Sequence, residues 1–240
     1  MEQYRFNSIG IIRSCFKEKF GIPRQPALVA SPATIEIESC YSEDEAFREL
    51  EDFSHIWVVF VFHDVIKKST PNSDWHPTIR PPRLGGNKRI GVFASRSMFR
   101  PNPIGLSVVE LNSIERKNKK IILNITGGDF LDTTPVLDIK PYIPYTDSIG
   151  GTKSGYANAA PERKMDVEIS YEAHQDIENH CHQYPQLEKL IIEIVALDPR
   201  PAYQKEKNIK SDFSMKLYTF DLKWKVEGNI AIVTSLKDLG

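Results

Sequence analysis

Apolar and polar residues alternate with a period of two over much of this chain, which predicts short half-buried strands more often than helices. Ile9, Ile11 and Ile12 mark a first strand over residues 6–14, and residues 34–37 a second. Residues 55–62, dense in Val, Phe and Trp, read as a strand buried on both faces. Residues 90–94 add another. Residues 106–114 and 120–126 flank a turn at 115–119 and form a hairpin, with residues 136–139 a strand beyond it. The one helix in this part falls at 42–50, with Ser42 as N-cap and Glu45 completing a capping box. Many short strands, turn signals between them and a single helix predict a mainly β N-terminal unit, a small closed or nearly closed barrel.

The pattern changes after residue 145. Residues 146–163, with Ser148, Gly150, Gly151, Ser154, Gly155 and Pro161, read as a linker or crossing arm. Residues 165–171 alternate as a strand, helical patterns follow at 172–184 and 185–197, and residues 218–226 and 230–235 form a hairpin around Glu227, Gly228 and Asn229. The division is therefore a barrel over 1–145, a linker over 146–163 and a small α+β C-terminal domain over 164–240.

Charge sharpens this picture. The net charge is −1 over 240 residues. Residues 36–52 are nevertheless strongly acidic, and residues 80–107 carry Arg80, Arg83, Lys88, Arg89, Arg96 and Arg100 with no acid at all. Pro77, Pro81, Pro82, Pro101 and Pro103, with Gly85, Gly86, Gly91 and Gly105, keep that segment out of a regular helix. Its guanidinium groups are thus presented on stiff loops, suited to phosphate or carboxylate. Arg24 and Gln25 stand between Pro23 and Pro26, as either a ligand-recognising loop or a plain turn. His63 and Asp64 end a strand, a hydrogen-bonded structural pair or a proton-transfer pair. Residues 198–203, Asp-Pro-Arg-Pro-Ala-Tyr, repeat the motif of an arginine clamped by prolines.

Several functional classes have no support. GxGxxG and GxxxxGK[ST] are both missing, so Rossmann and P-loop nucleotide sites are not indicated. Cys15, Cys40 and Cys181 are few and scattered, and the adjacent residues of His180-Cys181-His182 would diverge on a helix, so no metal is expected. The first twenty residues include Arg5, Arg13, Lys17, Glu18 and Lys19 without a long apolar run, so no secretory signal is expected, and the scattered cysteines fit a reducing cytoplasm.

The segments FNSIGIIRS, EKFGIPRQP, FSHIWVVFVFH, RPPRLGG, GVFASRSMFRPNPIGLS, DIKPY and DPRPAY, spread over residues 6–203, resemble the TsaA-like family and most closely its bacterial TrmO branch. The resemblance implies a non-Rossmann barrel methyltransferase that uses S-adenosyl-L-methionine to methylate N6 of N6-threonylcarbamoyladenosine at position 37 in the tRNA anticodon loop, and acts as a homodimer. It implies cofactor contacts at Pro23, Arg24, Gln25, His63, Asp64, Arg96, Leu106, Leu131, Asp132, Thr133 and Thr134. Arg80, Arg83, Arg89, Arg100, Lys140 and Arg200 are then left for RNA, one of the arginines of the basic segment meeting the substrate's carboxylate. Asp138, Tyr142 and His63 are candidates for handling the N6 proton, and Phe99 or Tyr142 for stacking on the unpaired base. The alternatives are a non-catalytic RNA-binding barrel and methylation of a small metabolite.

Overall fold

The computed structural model describes residues 2–68, 75–161, 165–200 and 212–240. In chain order the strands are β1 (Gly10–Ser14), β2 (Pro32–Ile37), β3 (His55–Val61), β4 (Thr78–Ile79), β5 (Ile90–Gly91), β6 (Ile104–Lys117), β7 (Lys120–Thr126), β8 (Thr134–Pro141), β9 (Asp166–Ile169), β10 (Asp212–Leu217), β11 (Phe220–Glu227) and β12 (Ile230–Asp238). The helices are α1 (His63–Lys68), α2 (Pro144–Asp147), α3 (Tyr171–His180) and α4 (Leu187–Ala196).

Six strands close a barrel in the order β1-β2-β7-β6-β3-β8, and every pairing in it is antiparallel. Its interior is aliphatic and aromatic: Ile12, Ile35, Ile37, Ile56, Val58, Phe60, Leu123, Ile125, Phe130 and Val136 pack together. Closure leaves no open edge in a sheet only six strands wide. The hairpin β6–β7 turns at Asn118 and Lys119, both at positive φ, the conformation whose twist suits a two-residue hairpin. Gly105, inside the long basic motif, faces Phe60 so closely that a Cβ there would stand 2.2 Å from the ring.

The second core is built on a four-stranded sheet, β10-β11-β12-β9, with β9 parallel to β12 and α3 and α4 packed on it. Ser170 caps α3 by accepting from the Ala173 N–H at 3.2 Å. Residues 15–29, which leave the barrel after β1, contribute Cys15, Phe16 and Val29 to this second core.

Six expectations change. The helix over 42–50 is replaced by three 3-10 turns, Ser39–Tyr41, Asp44–Phe47 and Leu50–Asp52. Ser42 is buried and its hydroxyl faces inward, donating to Glu38 O and accepting from the Ile121 N–H, so it caps nothing. Glu49 at φ 66 then interrupts any helix. The β3 strand alternates between buried and partly exposed residues, because only one of its faces meets the barrel interior. The first strand starts at Gly10 and not at residue 6. The strand over 90–94 is two residues long and passes into a 3-10 turn, Val92–Ala94. Finally, residues 212–217, for which no strand is expected, form β10, where Phe213, Met215 and Leu217 alternate inward; Tyr218, expected in a strand, occupies the β10–β11 turn at φ 53.

Candidate functional site

The antiparallel order places the end of β1, the start of β2, the end of β3, the start of β6, the end of β7 and the start of β8 at one end of the barrel. Residues 15–31, 62–103 and 127–133 all leave or enter at this end. Widely separated motifs are therefore forced together by topology alone.

Three polar links tie these segments. Arg96 Nη1 donates to Gln25 Oε1 at 2.7 Å. Lys19 Nζ pairs with Asp64 at 2.8 Å and lies 3.7 Å from Met98 Sδ. Lys17 Nζ pairs with Asp132 at 2.8 Å, and the other Asp132 oxygen accepts from the Ser14 N–H at 2.9 Å. Thr133 takes a positive φ of 62, and the Thr134 hydroxyl donates to Leu131 O at 2.6 Å while standing 3.5 Å from His63 Nδ1. Pro23, Arg24, Gln25, His63, Asp64, Arg96 and Leu131 to Thr134 thus share one end of the barrel. Leu106 is on β6 next to buried Ser107, with its own side chain turned outward and half exposed. Although Arg24 presents exposed surface, the protein around its guanidinium lowers its pKa by burial, opposed by the nearby Asp198 carboxylate.

Three residues of this end carry no signal in the sequence. Asp129 accepts from the Ser107 hydroxyl at 2.6 Å. Burial raises its pKa, opposed by the Ser107 bond and by the charge of Arg96. An Asp in a Gly-Gly-Asp turn signals only a turn; its proximity to Arg96 depends on the β6–β7 pairing. Lys17 and Lys19 are the other two, charges in an ordinary polar loop whose partners Asp132 and Asp64 are distant in sequence.

The basic segment projects from the same end. Arg89 donates to Thr78 Oγ1 at 3.0 Å, and Arg83 donates to the Ala159 carbonyl. Arg100 donates to Ser95 O at 2.7 Å and lies 5.5 Å from the Phe93 ring centroid. These partners are neutral, so the positive charges remain available to an anion. Arg80, Arg83, Lys88 and Arg89 are exposed, and so are the aromatic rings of Trp75, Phe93 and Phe99.

Four residues lie elsewhere. Tyr142 packs against Trp57 and His55, and its N–H donates to His55 O, at the opposite end of β3 from His63. Seven residues of strand separate the two ends by roughly 20 Å. Asp138 pairs in register with Val59 and holds Lys140 Nζ at 2.8 Å, so Lys140 is also remote from the basic segment. The three proton-handling candidates therefore do not converge within one chain; His63 alone adjoins the cluster. Arg200 is the fourth. Expected at an RNA surface, it is 7% exposed and forks onto Asp198 at 2.7 and 3.1 Å. Its neighbours Pro201, Ala202 and Tyr203 lie outside the described residues. His180, from the His-Cys-His triplet, packs on Phe220 at 4.6 Å.

Comparison with known proteins agrees across both units. The family model of the tRNA-methyltransferase O N-terminal domain matches residues 11–148, and that of the TrmO C-terminal domain matches 162–239. The chain is 44% identical to the tRNA (adenine(37)-N6)-methyltransferase of Escherichia coli over 94% of both chains. It is 43% identical to the putative S-adenosylmethionine-dependent methyltransferase RcsF of Pseudomonas aeruginosa over 90% of both. A crystal structure of TrmO from Pseudomonas aeruginosa superposes with a TM-score of 0.79 at 34% identity, covering 98% of this chain and 99% of that one. Barrel, second sheet and basic segment alike are accounted for by one lineage, and the chain belongs to the TrmO family.

Proposed function

We propose that this protein is an S-adenosyl-L-methionine-dependent methyltransferase that methylates N6 of N6-threonylcarbamoyladenosine at position 37 of tRNA. The observation that carries the reading is the convergence, at one barrel end, of a mixed-charge cluster and an exposed, purely basic segment. The relatives named tRNA (adenine(37)-N6)-methyltransferase, aligned over nearly the whole chain, support the same chemistry.

The residues present fit that cofactor. S-adenosyl-L-methionine has no phosphate, so a glycine-rich phosphate loop at a helix N-terminus is not required. It does have a zwitterionic amino-acid end, a ribose diol and a purine. Arg24 and Arg96 suit its carboxylate, Asp64, Asp129 and Asp132 its ammonium and hydroxyl groups, and backbone groups of 23–25 and 131–134 its purine edge. When bound, the cofactor supplies an electrophilic methyl on a sulfonium. Arg96, clamped by Gln25, fixes orientation, and such positioning can account for most of the acceleration in an in-line transfer. His63 is the candidate to take the N6 proton, which the attached carbonyl makes more acidic.

The basic segment takes the anticodon loop, with an arginine on the threonine carboxylate and Phe93 or Phe99 stacking on the unpaired base. A homodimer is supported by an apolar stripe on the outer face of β3 and β6. Val61 opposes Ile104, Val59 opposes Leu106 and Trp57 opposes Val108, with Ile104 and Leu106 both exposed. Such a stripe is a natural interface. A tRNA substrate supports a cytoplasmic location for the enzyme, and no described helix is long and apolar enough to cross a membrane.

Mass spectrometry of tRNA nucleosides from cells with and without the protein tests the function. Loss of the N6-methylated nucleoside, with its unmethylated precursor accumulating, is expected. Unchanged nucleosides, together with retained tRNA binding, would instead indicate a non-catalytic RNA-binding barrel.

A further inference from the structure

Asp64, Asp129 and Asp132 bring three carboxylates to one end of the barrel, and the chain does not treat them alike. Asp64 takes Lys19 Nζ at 2.8 Å, and Asp132 takes Lys17 Nζ at 2.8 Å together with the Ser14 N–H at 2.9 Å. Asp129 has a neutral partner: its Oδ1 accepts from the Ser107 hydroxyl at 2.6 Å, and among the described residues no lysine, arginine or histidine nitrogen comes within ion-pair distance of it. A hydroxyl offsets only part of what a carboxylate loses on leaving water. Burial accordingly works against its charge.

The carboxylate is nevertheless held firmly in place. The Gly127 N–H donates to Ser31 O at 3.0 Å, the Gly127 carbonyl accepts from the Ala27 N–H at 2.8 Å, and the Gly128 carbonyl accepts from the Ser31 hydroxyl at 2.6 Å. Gly127 takes φ 87, and a Cβ on Gly128 would stand 2.4 Å from the Phe130 ring, so neither position admits a side chain without strain. Phe130, the next residue after Asp129, is buried in the barrel and meets Phe60 edge-on at 5.0 Å. Residues 27–31 are in turn anchored at the seam between the two units, where Val29 is buried in the second core, the Ala30 N–H donates to Glu193 at 2.8 Å and the Tyr218 N–H donates to Cys15 O at 2.7 Å. Ser107 is 2% exposed and fixed within β6, one residue after Leu106.

An immobilised carboxylate whose partner is neutral suits a ligand that brings the positive charge itself. S-adenosyl-L-methionine has two cationic centres. Its ammonium offers three N–H donors, whereas its sulfonium offers none and must leave the methyl open to the incoming base. We infer that Asp129, held by Ser107 and the Gly127-Gly128 turn, binds the ammonium of S-adenosyl-L-methionine, whereas Asp64 and Asp132, already matched by Lys19 and Lys17, do not meet that charge. This rests on the cofactor binding at this end of the barrel.

The test titrates the full chain by calorimetry with S-adenosyl-L-methionine and with S-adenosyl-L-homocysteine, which keeps the ammonium and lacks the sulfonium charge. Asp129→Asn preserves the size of the side chain and an acceptor for Ser107 but removes the charge. It is expected to weaken both ligands by about tenfold, as for a lost charge-assisted hydrogen bond, with a melting temperature no lower than that of the wild type. The loss should exceed that from Asp64→Asn or Asp132→Asn; an equal or larger loss from either overturns the assignment. A role confined to holding Ser107 survives in the Asn variant, so wild-type affinity for both ligands in folded Asp129→Asn overturns the inference and leaves the proposed function standing. A loss for S-adenosyl-L-methionine alone would put the carboxylate on the sulfonium, and unchanged affinities with a reduced kcat would make Asp129 the proton acceptor; either result overturns the ammonium assignment. If the wild type binds neither ligand, the proposed function fails and this inference with it. Should Asp129→Asn not fold, Ser107→Ala, which frees the carboxylate from its hydroxyl partner, replaces it: a loss of about threefold for both ligands is expected, and wild-type affinity for both overturns the inference.

Discussion

At the scale of single residues, two arginines that look alike in sequence do different work. Arg96 is exposed, and its hydrogen-bond partner is a neutral amide. Arg96→Ala should weaken S-adenosyl-L-methionine by about tenfold or more, the value of a charge-assisted hydrogen bond, with little change in thermal stability. Calorimetry and a melting curve on the same sample check both halves. Arg200 is buried against Asp198, so Arg200→Ala breaks a buried two-point ion pair. A loss of about 3 kcal/mol in denaturant unfolding is expected. Proline-clamped arginines are legible in sequence as rigid; whether they face solvent is not, because that depends on where Asp198 and Met165 lie in the fold.

At the scale of elements, the barrel and the seam each make a prediction. Gly105→Ala pushes a methyl into the Phe60 ring, in a barrel too small to yield without strain. It should cost about 1–3 kcal/mol, measured by denaturant midpoint, without altering the charges of the site. At the seam, burial pushes the Cys15 thiol from its ordinary 9.0 up to about 12, and burial, together with Cys15 and Tyr184, raises the Tyr218 phenol above its ordinary 10.0. Both groups keep their protons in the folded state and lose them more readily when unfolded. Stability is therefore fully retained below about pH 9 and falls as pH rises from there toward about 12. Urea midpoints measured across that window should decline, and a cofactor affinity that declines with them would reflect loosening of residues 15–30. At neutral pH iodoacetamide should modify exposed Cys40 and Cys181 but spare Cys15, as peptide mapping would reveal.

For the molecule as a whole, charge separation is the governing feature: a basic rim at one barrel end, an acid-rich second unit and a net charge near zero. Binding to tRNA should consequently depend steeply on salt. Replacing Arg80 and Arg89 by Ala should reduce the slope of log K against log salt by about one for each phosphate no longer neutralised, and leave S-adenosyl-L-methionine affinity unchanged. A slope unaffected by both replacements would remove these arginines from the RNA interface.

The alternation of apolar residues determined the barrel and the β6–β7 hairpin, because a period of two survives whatever surrounds a strand. Uncompensated charge marked the basic segment, and the long motif around Arg96 marked the lineage. The tertiary structure alone decided which motifs meet. Ring closure brings Gln25 to Arg96 and Lys19 to Asp64 while sending Tyr142 to the far end, and it turns Ser42 from a helix cap into an inward hydrogen-bond partner. It also decided that a loop between two barrel strands is buried in the other core. Local sequence encodes the period and the turn; contacts between residues tens of positions apart are set by how strands pair around a closed sheet, and the chemistry of this site depends on those contacts.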